Sequence, residues 1–137
     1  MNERSFLHDV ADRVECDDRR AETLTFAVFQ ELRDRLTPEE AAKVAAQLPG
    51  SLKMLWLCFD RPHRQVRRLH ETRLLHEVAR MVGFDSESDA HRAIIAVFAA
   101  LQSALGDPSG KVGTAGHILA QLPSDLKRLW LEAGGQF

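Results

Sequence analysis

Four arginines near the middle of the chain are the residues best suited to bind a charged partner. They are Arg64, Arg67, Arg68 and Arg73. On a helix, residues three and four positions apart share a face, so arginines at such spacing can form a basic ridge. A ridge of this kind attracts the phosphates of a nucleic acid or the carboxylates of an acidic protein. The sequence therefore predicts a candidate anion-binding site here.

The surroundings of these arginines also support a plainer interpretation. The net charge is -2, with 8 Lys/Arg and 12 Asp/Glu in residues 1–60 against 10 and 8 in residues 61–137. The arginines can therefore pair with the acidic half or face solvent, as charge runs on helices usually do. No aromatic residues alternate with them for base stacking, and no recognition-helix pattern is present. Nucleic-acid binding is disfavoured but stays open.

The histidines and nucleophiles show no catalytic pattern. His70 and His76 are six residues apart, and no His-Glu-x-x-His or paired Cys/His spacing occurs, so a metal site would need ligands from distant helices. His8 and His76, each followed by a carboxylate, could meet if the fold has a twofold axis. The sequence lacks a nucleophile elbow, a phosphate loop and a dinucleotide-binding fingerprint. We therefore expect no enzymatic activity, no metal and no cofactor.

The elements that position these residues form a duplicated unit. The stretch Ala-Gln-Leu-Pro-Gly-Ser-Leu-Lys-Met-Leu-Trp-Leu at 46–57 returns as Ala-Gln-Leu-Pro-Ser-Asp-Leu-Lys-Arg-Leu-Trp-Leu at 120–131. A match of this length, with Gln, Pro and Trp all retained, indicates two copies of one unit. Repeat 1 covers about 5–59 and repeat 2 about 73–133, and the arginine-rich linker at about 60–72 has no counterpart in either.

The repeated stretch contains the residue types of a bend between two helices. Proline lacks an N–H and disfavours helical geometry in the residue before it, so Pro49 and Pro123 should each end one helix and open the next. Gln47 and Gln121 can bond the backbone groups that helix ends leave free. A ligand or partner groove lined by these two glutamines is the alternative.

Apolar spacing and start signals predict the helices of the first unit at about 3–15, 17–36, 37–47 and 50–59. Asp17 is the expected N-cap of the second helix, and Thr37 with Pro38 opens the third. The side of the second helix opposite its apolar stripe is predicted to carry four charged residues, Glu22, Glu31, Arg33 and Asp34. Most of the linker is also expected to be helical.

The last helix of each unit contains a tryptophan flanked by leucines. Trp56 and Trp130 are therefore predicted core residues. The helix around Trp56 has apolar residues on nearly every side beyond Leu52, a pattern typical of a helix enclosed by others.

In the second unit, Ser86 and Asp89 form a variant of a capping box, and a cleanly amphipathic helix follows. The next helix, at about 111–121, begins among Gly110, Gly113 and Gly116, and each glycine costs about 1 kcal/mol relative to alanine inside a helix. We interpret this start as a frayed first turn. Close approach of another backbone segment is the alternative.

The composition is that of an ordinary globular protein, with 45% hydrophobic and 28% charged residues. No apolar run approaches the roughly 18 residues of a membrane span, and the N-terminus has no secretory pattern. The two cysteines, Cys16 and Cys58, have neither metal-ligand spacing nor matching repeat positions. We expect a cytoplasmic protein that does not bind membranes.

The doubled motifs resemble those of the bacterial domain-of-unknown-function family 2267. They are Thr-Pro-Glu-Glu-Ala at 37–41, Ala-Gln-Leu-Pro at 46–49 and Leu-Lys-x-Leu-Trp at 52–56, with their second copies, and the resemblance spans about 5–131. It implies a compact helical domain of two similar halves and supplies no catalytic residues. The sequence departs from the pattern at the glycine-rich start in its second copy.

Together these observations predict an all-α single domain of about eight helices, in which two four-helix repeats pack with pseudo-twofold symmetry. A small duplicated bundle without a reactive constellation suits a protein-interaction or assembly module, which buries a partner helix or a second copy of itself. Anion or nucleic-acid binding through the linker arginines is the alternative function.

Overall fold

Helices form all the regular secondary structure in the described part of the chain. The computed structural model describes residues 3–48, 50–58, 71–107, 109, 111–122 and 124–134. Among these residues no strand occurs, and the predicted all-α fold is confirmed. Eight helices follow one another: α1 (Glu3–Val14), α2 (Asp18–Arg33), α3 (Pro38–Gln47), α4 (Gly50–Leu57), α5 (Glu71–Val82), α6 (Glu87–Ala104), α7 (Gly113–Gln121) and α8 (Ser124–Ala133). None of these eight is both long and apolar enough to cross a lipid bilayer.

The two longest helices, α2 and α6, organise the packing. Helix α2 contacts α1, α4, α5 and α6, and helix α6 contacts α1, α2, α5 and α8. The first helix of each half therefore packs on the long helices of both halves. A single cluster of buried apolar side chains draws on all eight helices, so the two halves share one core.

The helix contacts occur in corresponding pairs. Helix α1 packs on α6 as α5 packs on α2, helix α4 packs on α2 as α8 packs on α6, and α3 contacts its counterpart α7. A twofold axis between two four-helix repeats would produce such pairs. The pseudo-twofold symmetry remains a prediction, and these contacts support it.

Three predicted N-caps are confirmed. The Asp17 carboxylate accepts a hydrogen bond from the backbone N–H of Arg20 at 2.8 Å. The Thr37 hydroxyl accepts one from the N–H of Glu40 at 3.1 Å, and Ser86 accepts one from the N–H of Asp89 at 3.2 Å. Each bond satisfies a backbone donor that the first turn of a helix leaves without a partner.

Helix α2 ends three residues earlier than its apolar pattern predicts. The N–H groups of Arg35 and Leu36 bond carbonyls three residues back, those of Leu32 and Arg33. Residues 34–36 therefore form a turn in place of the last helical turn. Leu36 is still fully buried, so the apolar pattern identified a core residue correctly but placed the helix end too late.

The prediction that α4 is enclosed on all sides is wrong. Only Leu52 and Trp56 of this helix are buried, whereas Met54 is 73% exposed and Leu57 is 42% exposed. The apolar pattern could not distinguish this arrangement, because a helix that is apolar all round gives the same sequence whether or not its outer side is covered.

Candidate functional site

The arginine ridge falls largely outside the described residues. Arg64, Arg67 and Arg68 lie there, and only Arg73 can be placed, near the start of α5. Its Nη2 lies 3.3 Å from Oε1 of Glu77, one turn further along the same helix. Nη2 of Arg80 donates a hydrogen bond to Oε2 of Glu77 at 2.9 Å, and this bond lowers the pKa of Glu77. At the described end of the cluster the arginines thus pair with an acid of their own helix, and the ridge remains a prediction.

The two histidines that a twofold axis could bring together have different neighbours. His8 is exposed on α1, with Nε2 at 3.5 Å from Oδ2 of Asp12 and Nδ1 at 3.9 Å from Oδ1 of Asp18. His76 on α5 lines a small cavity beside Arg80 and Phe84. Within the described ranges, no group of three or more His, Cys, Asp or Glu side chains is arranged to hold a metal ion.

We call the Gln-Leu-Pro bends at 47–49 and 121–123 the elbows, and the structure describes each of them except for its proline. Pro49 and Pro123 lie outside the described residues, and the glutamines before them end α3 and α7. Gln47 is exposed and Gln121 is half-buried. Each glutamine is followed by a leucine, Leu48 in the first copy and Leu122 in the second. Both leucines are buried, so each bend has a leucine anchor.

Both repeated tryptophans are fully buried. The ring of Trp56 packs edge-on against Phe29 of α2, with centroids 5.3 Å apart, and its Nε1 donates to the carbonyl of Ala41 in α3 at 2.9 Å. Trp130 packs against Phe98 of α6, with centroids 5.0 Å apart. In each unit, the tryptophan therefore joins the last helix to the long one.

A buried arginine holds the end of α4. Arg33 is 2% exposed, and its Nη1 donates to the carbonyls of Trp56 at 3.1 Å and Cys58 at 2.8 Å, while Nη2 donates to Asp34 at 3.1 Å. In the second unit Nε2 of Gln102 donates to the carbonyl of Trp130 at 2.9 Å. A shift of 69 residues aligns Arg33 with Gln102, so two different side chains perform the same task.

Four charged residues were predicted to lie on the polar side of α2, and the structure corrects this prediction for three of them. Glu22 is exposed as expected, but Glu31, Arg33 and Asp34 are buried. The shift of 69 aligns Glu31 with an alanine, Ala100, in a cleanly apolar helix. That alignment is the signal that could have identified the position as buried.

An apolar surface lies on the outside of α4. We call Met54, Leu57 and Cys58 the outer α4 face, because separations of three and four place them on one side of the helix. Met54 and Leu57 are exposed and Cys58 is half-buried, with a free thiol. Sequence reasoning missed this face because it assigned the whole helix to the core.

A second candidate site is a groove between α1, α6 and α8, with a volume of about 560 Å³. We call it the His91 groove. Its lining residues are Arg13, Ser88, His91, Arg92, Ile95, Ala96 and Glu132. Nε2 of His91 lies within hydrogen-bond distance of Oε2 of Glu132, at 2.9 Å, and this contact joins α6 to α8. No local spacing in the sequence indicates the pair, because its members are 41 residues apart.

The glycine-rich loop before α7 is built around one carboxylate. Oδ2 of Asp107 accepts hydrogen bonds from the N–H groups of Lys111 and Val112, each at 2.8 Å. Its Oδ1 accepts the hydroxyl of Ser109 at 2.7 Å and the N–H of the same residue at 3.2 Å. These bonds hold the loop as it enters the helix.

Two glycines in α7 suit the entry from this loop, and the helix begins at Gly113, two residues later than predicted. The frayed first turn stays a prediction. Gly113 opens the helix with a φ of +60°, a conformation that other residues rarely adopt. A Cβ on Gly116 would lie 2.5 Å from the carbonyl oxygen of Lys111. The backbone close to Gly116 is therefore that of a residue five positions earlier, where the chain enters the same helix.

The hydrogen bonds at Asp107 predict a component of acid sensitivity. The bond from the Ser109 hydroxyl, followed by that from the Val112 N–H, lowers the pKa of Asp107 from 3.8 to about 2. Because the folded pKa is depressed, the stabilisation is complete above pH 3.8 and is lost as the pH falls towards 2. Urea midpoints measured across this range should fall more steeply for the wild type than for Asp107→Asn. Parallel curves would contradict the assignment.

One family covers almost the whole molecule. Residues 3–129 of the 137 match the family described as "Uncharacterized conserved protein (DUF2267)". No curated protein matches the chain. The matched region includes both repeated stretches up to Leu129 and therefore both buried elbow leucines. The resemblance expected from the doubled Ala-Gln-Leu-Pro motif is confirmed, and the chain belongs to the DUF2267 family.

Proposed function

We propose that the protein is a non-catalytic assembly module that contacts a second copy of itself through the outer α4 face. The exposure of Met54 is the observation that carries the proposal: this large apolar side chain is 73% exposed and lies beside Leu57, which is also exposed. Burial of such a surface by association is favourable, and adjacent exposed apolar side chains often form interaction sites.

The second copy of the unit indicates that the exposed apolar residues are not all needed for folding. A shift of 74 residues aligns Met54 with Arg128 and Cys58 with Glu132, in a helix that packs on α6 as α4 packs on α2. Charged residues therefore serve at two of the three positions in α8, whereas Leu57 aligns with another leucine, Leu131. Met54 in particular is free to serve a contact outside the bundle.

Met54, Leu57 and Cys58 carry no charge, although Lys53 lies one turn before Leu57, and their apolar character favours a second copy as the occupant. In a twofold contact each surface meets itself, so any charge would face a like charge, whereas an uncharged apolar strip is complementary to itself. The contact is small, because a helix of eight residues is about 12 Å long. It falls below the roughly 800 Å² per partner of a standard stable interface, so we expect a reversible dimer with a Kd on the order of 10 µM or weaker.

Sedimentation equilibrium over a concentration series tests this proposal. The average mass should rise above the 15.4 kDa of the monomer as the concentration increases. Met54→Lys and Leu57→Lys place like charges at the contact and should return the protein to a monomer with an unchanged urea midpoint. Arg128→Lys, at the matching position of α8, is the control and should associate as the wild type does. A monomer at every concentration, or association unaffected by Met54→Lys, would overturn the proposal.

A further inference from the structure

The His91 groove combines an apolar floor with a rim of charged and polar groups. Ala96 is buried and Ile95 is partly buried, while the side chains of His91 and Glu132 are 39% and 38% exposed. Its volume of about 560 Å³ lies within the range of about 300–1,000 Å³ that small-molecule sites occupy. Apolar walls with a few convergent polar groups are typical of such sites.

Two guanidinium groups provide the strongest binding capacity in the groove. Arg13 uses Nε in its 2.8 Å bond to Asp9, which leaves the four N–H donors of its two terminal nitrogens. Arg92 makes no hydrogen bond or ion pair with any described residue. The guanidinium fork matches the geometry of a carboxylate or phosphate, with which it forms charge-assisted hydrogen bonds.

The net charge around the groove distinguishes a carboxylate from a phosphate as the bound group. Arg13 and Arg92 contribute two positive charges, while Glu132 and Asp9, which is bonded to Arg13, contribute two negative charges, so the local net charge is zero when His91 is neutral. A monoanion therefore adds only one negative charge. A phosphate monoester, with close to two negative charges at pH 7, would leave an excess of negative charge beside Glu132. The groove therefore fits a carboxylate better than a phosphate.

Comparison of the two copies indicates that the charged residues of the groove do not recur at the corresponding positions. Arg13, His91, Arg92 and Glu132 align with uncharged or oppositely charged residues in the other copy. The counterparts are Met81, Glu22, Thr23 and Cys58, respectively. Because folding of the repeated unit does not depend on the positive charges of the groove, those charges are available for a ligand.

We infer that the His91 groove binds a small organic monocarboxylate. Arg13 and Arg92 hold its carboxylate group, and its apolar part lies against Ile95 and Ala96. The contact between His91 and Glu132 joins the α6 and α8 walls of the groove across 41 residues of sequence. This site is separate from the outer α4 face, so binding of the carboxylate and assembly through α4 can be tested independently.

Titration of the full-length protein with benzoate, followed by amide chemical shifts, tests the inference. Benzoate combines one carboxylate with an apolar ring, and the shift changes should saturate and centre on residues 88–96 and 13. A ligand of this size is expected to bind with a Kd on the order of 1 mM. Inorganic phosphate at the same concentrations should bind at least several-fold more weakly. The absence of saturable changes, or equal or tighter binding of phosphate, would overturn the inference.

Four variants locate the site. Arg13→Ala and Arg92→Ala should each raise the Kd for benzoate by about fivefold or more, because each removes a charge-assisted contact at a partly exposed position. Arg4→Ala removes an exposed arginine of α1 that does not line the groove, and its Kd should equal that of the wild type. Glu132→Gln keeps an acceptor for His91 but removes the negative charge, so binding should tighten by about threefold. Unchanged affinity in both Arg13→Ala and Arg92→Ala, or weaker binding in Glu132→Gln, would contradict the assigned geometry.

Discussion

Replacing Trp56 with alanine is expected to lower the free energy of unfolding by about 3–5 kcal/mol, the usual cost of removing a large buried aromatic side chain. Trp56 is fully buried and joins three helices: its own helix α4, α2 through Phe29, and α3 through its 2.9 Å bond to Ala41. Phe29 also packs on Phe6 of α1, with centroids 5.7 Å apart. Loss of the indole ring therefore leaves a cavity where four helices converge.

Urea unfolding followed by far-ultraviolet circular dichroism measures this effect. Trp56→Phe keeps an aromatic ring but cannot donate to Ala41. Its free energy of unfolding should therefore lie between those of the wild type and Trp56→Ala. Met54→Ala is the control on the same helix, and its exposed side chain should change the stability by less than about 0.5 kcal/mol. A loss below about 1 kcal/mol for Trp56→Ala would mean that the tryptophan does not join these helices as described.

Replacing Arg33 with alanine is expected to cost about 3–5 kcal/mol, because a buried charged network loses its cation. The carbonyls of Trp56 and Cys58 would lose the Arg33 donor at the end of α4, where helix carbonyls have no partner within the helix. The cation also opposes the partial negative charge at a helix C-terminus. Asp34 would lose its hydrogen bond from Arg33 at the same time.

The second copy provides matched variants for this experiment. Arg33→Gln introduces the residue found at the equivalent position, Gln102, and can keep one bond to the carbonyl of Trp56, so it should cost less than Arg33→Ala. Gln102→Ala removes a single neutral donor from the carbonyl of Trp130 and should cost about 1–3 kcal/mol. Urea midpoints of the three variants should give Arg33→Ala as the least stable. A larger loss for Gln102→Ala than for Arg33→Ala would show that the buried charge contributes little.

The features predicted most accurately are those set by neighbouring residues. Asp17, Thr37 and Ser86 were predictable as helix starts because each cap bonds an N–H only three residues further along the chain. The burial of Trp56 and Trp130 followed from the leucines on either side of each. Errors began where a residue's environment depends on a distant helix, as at Met54 and Glu31, which sequence patterning assigned to the wrong side.

The sequence predicted only some of the residues of the candidate sites. The linker arginines were predictable as a candidate site because they lie close together in the chain, yet Arg73 pairs with Glu77 of its own helix. The His91 groove was missed because its members come from three helices, and neither Arg13 nor Glu132 lies near His91 in sequence. A position-by-position comparison of the copies indicates these residues, since Arg13, His91, Arg92 and Glu132 all differ from their counterparts.

The sequence by itself determined the helical class, the doubled Ala-Gln-Leu-Pro unit and the positions of the caps, because hydrogen bonding and apolar periodicity within a helix act over a few residues. Only the tertiary structure decided which faces of those helices are covered. It buries Arg33 against the end of α4, exposes Met54 on the outside of the same helix, and brings His91 and Glu132 together. The reason is that burial and long-range contacts depend on how helices pack on one another, and no local pattern specifies that arrangement.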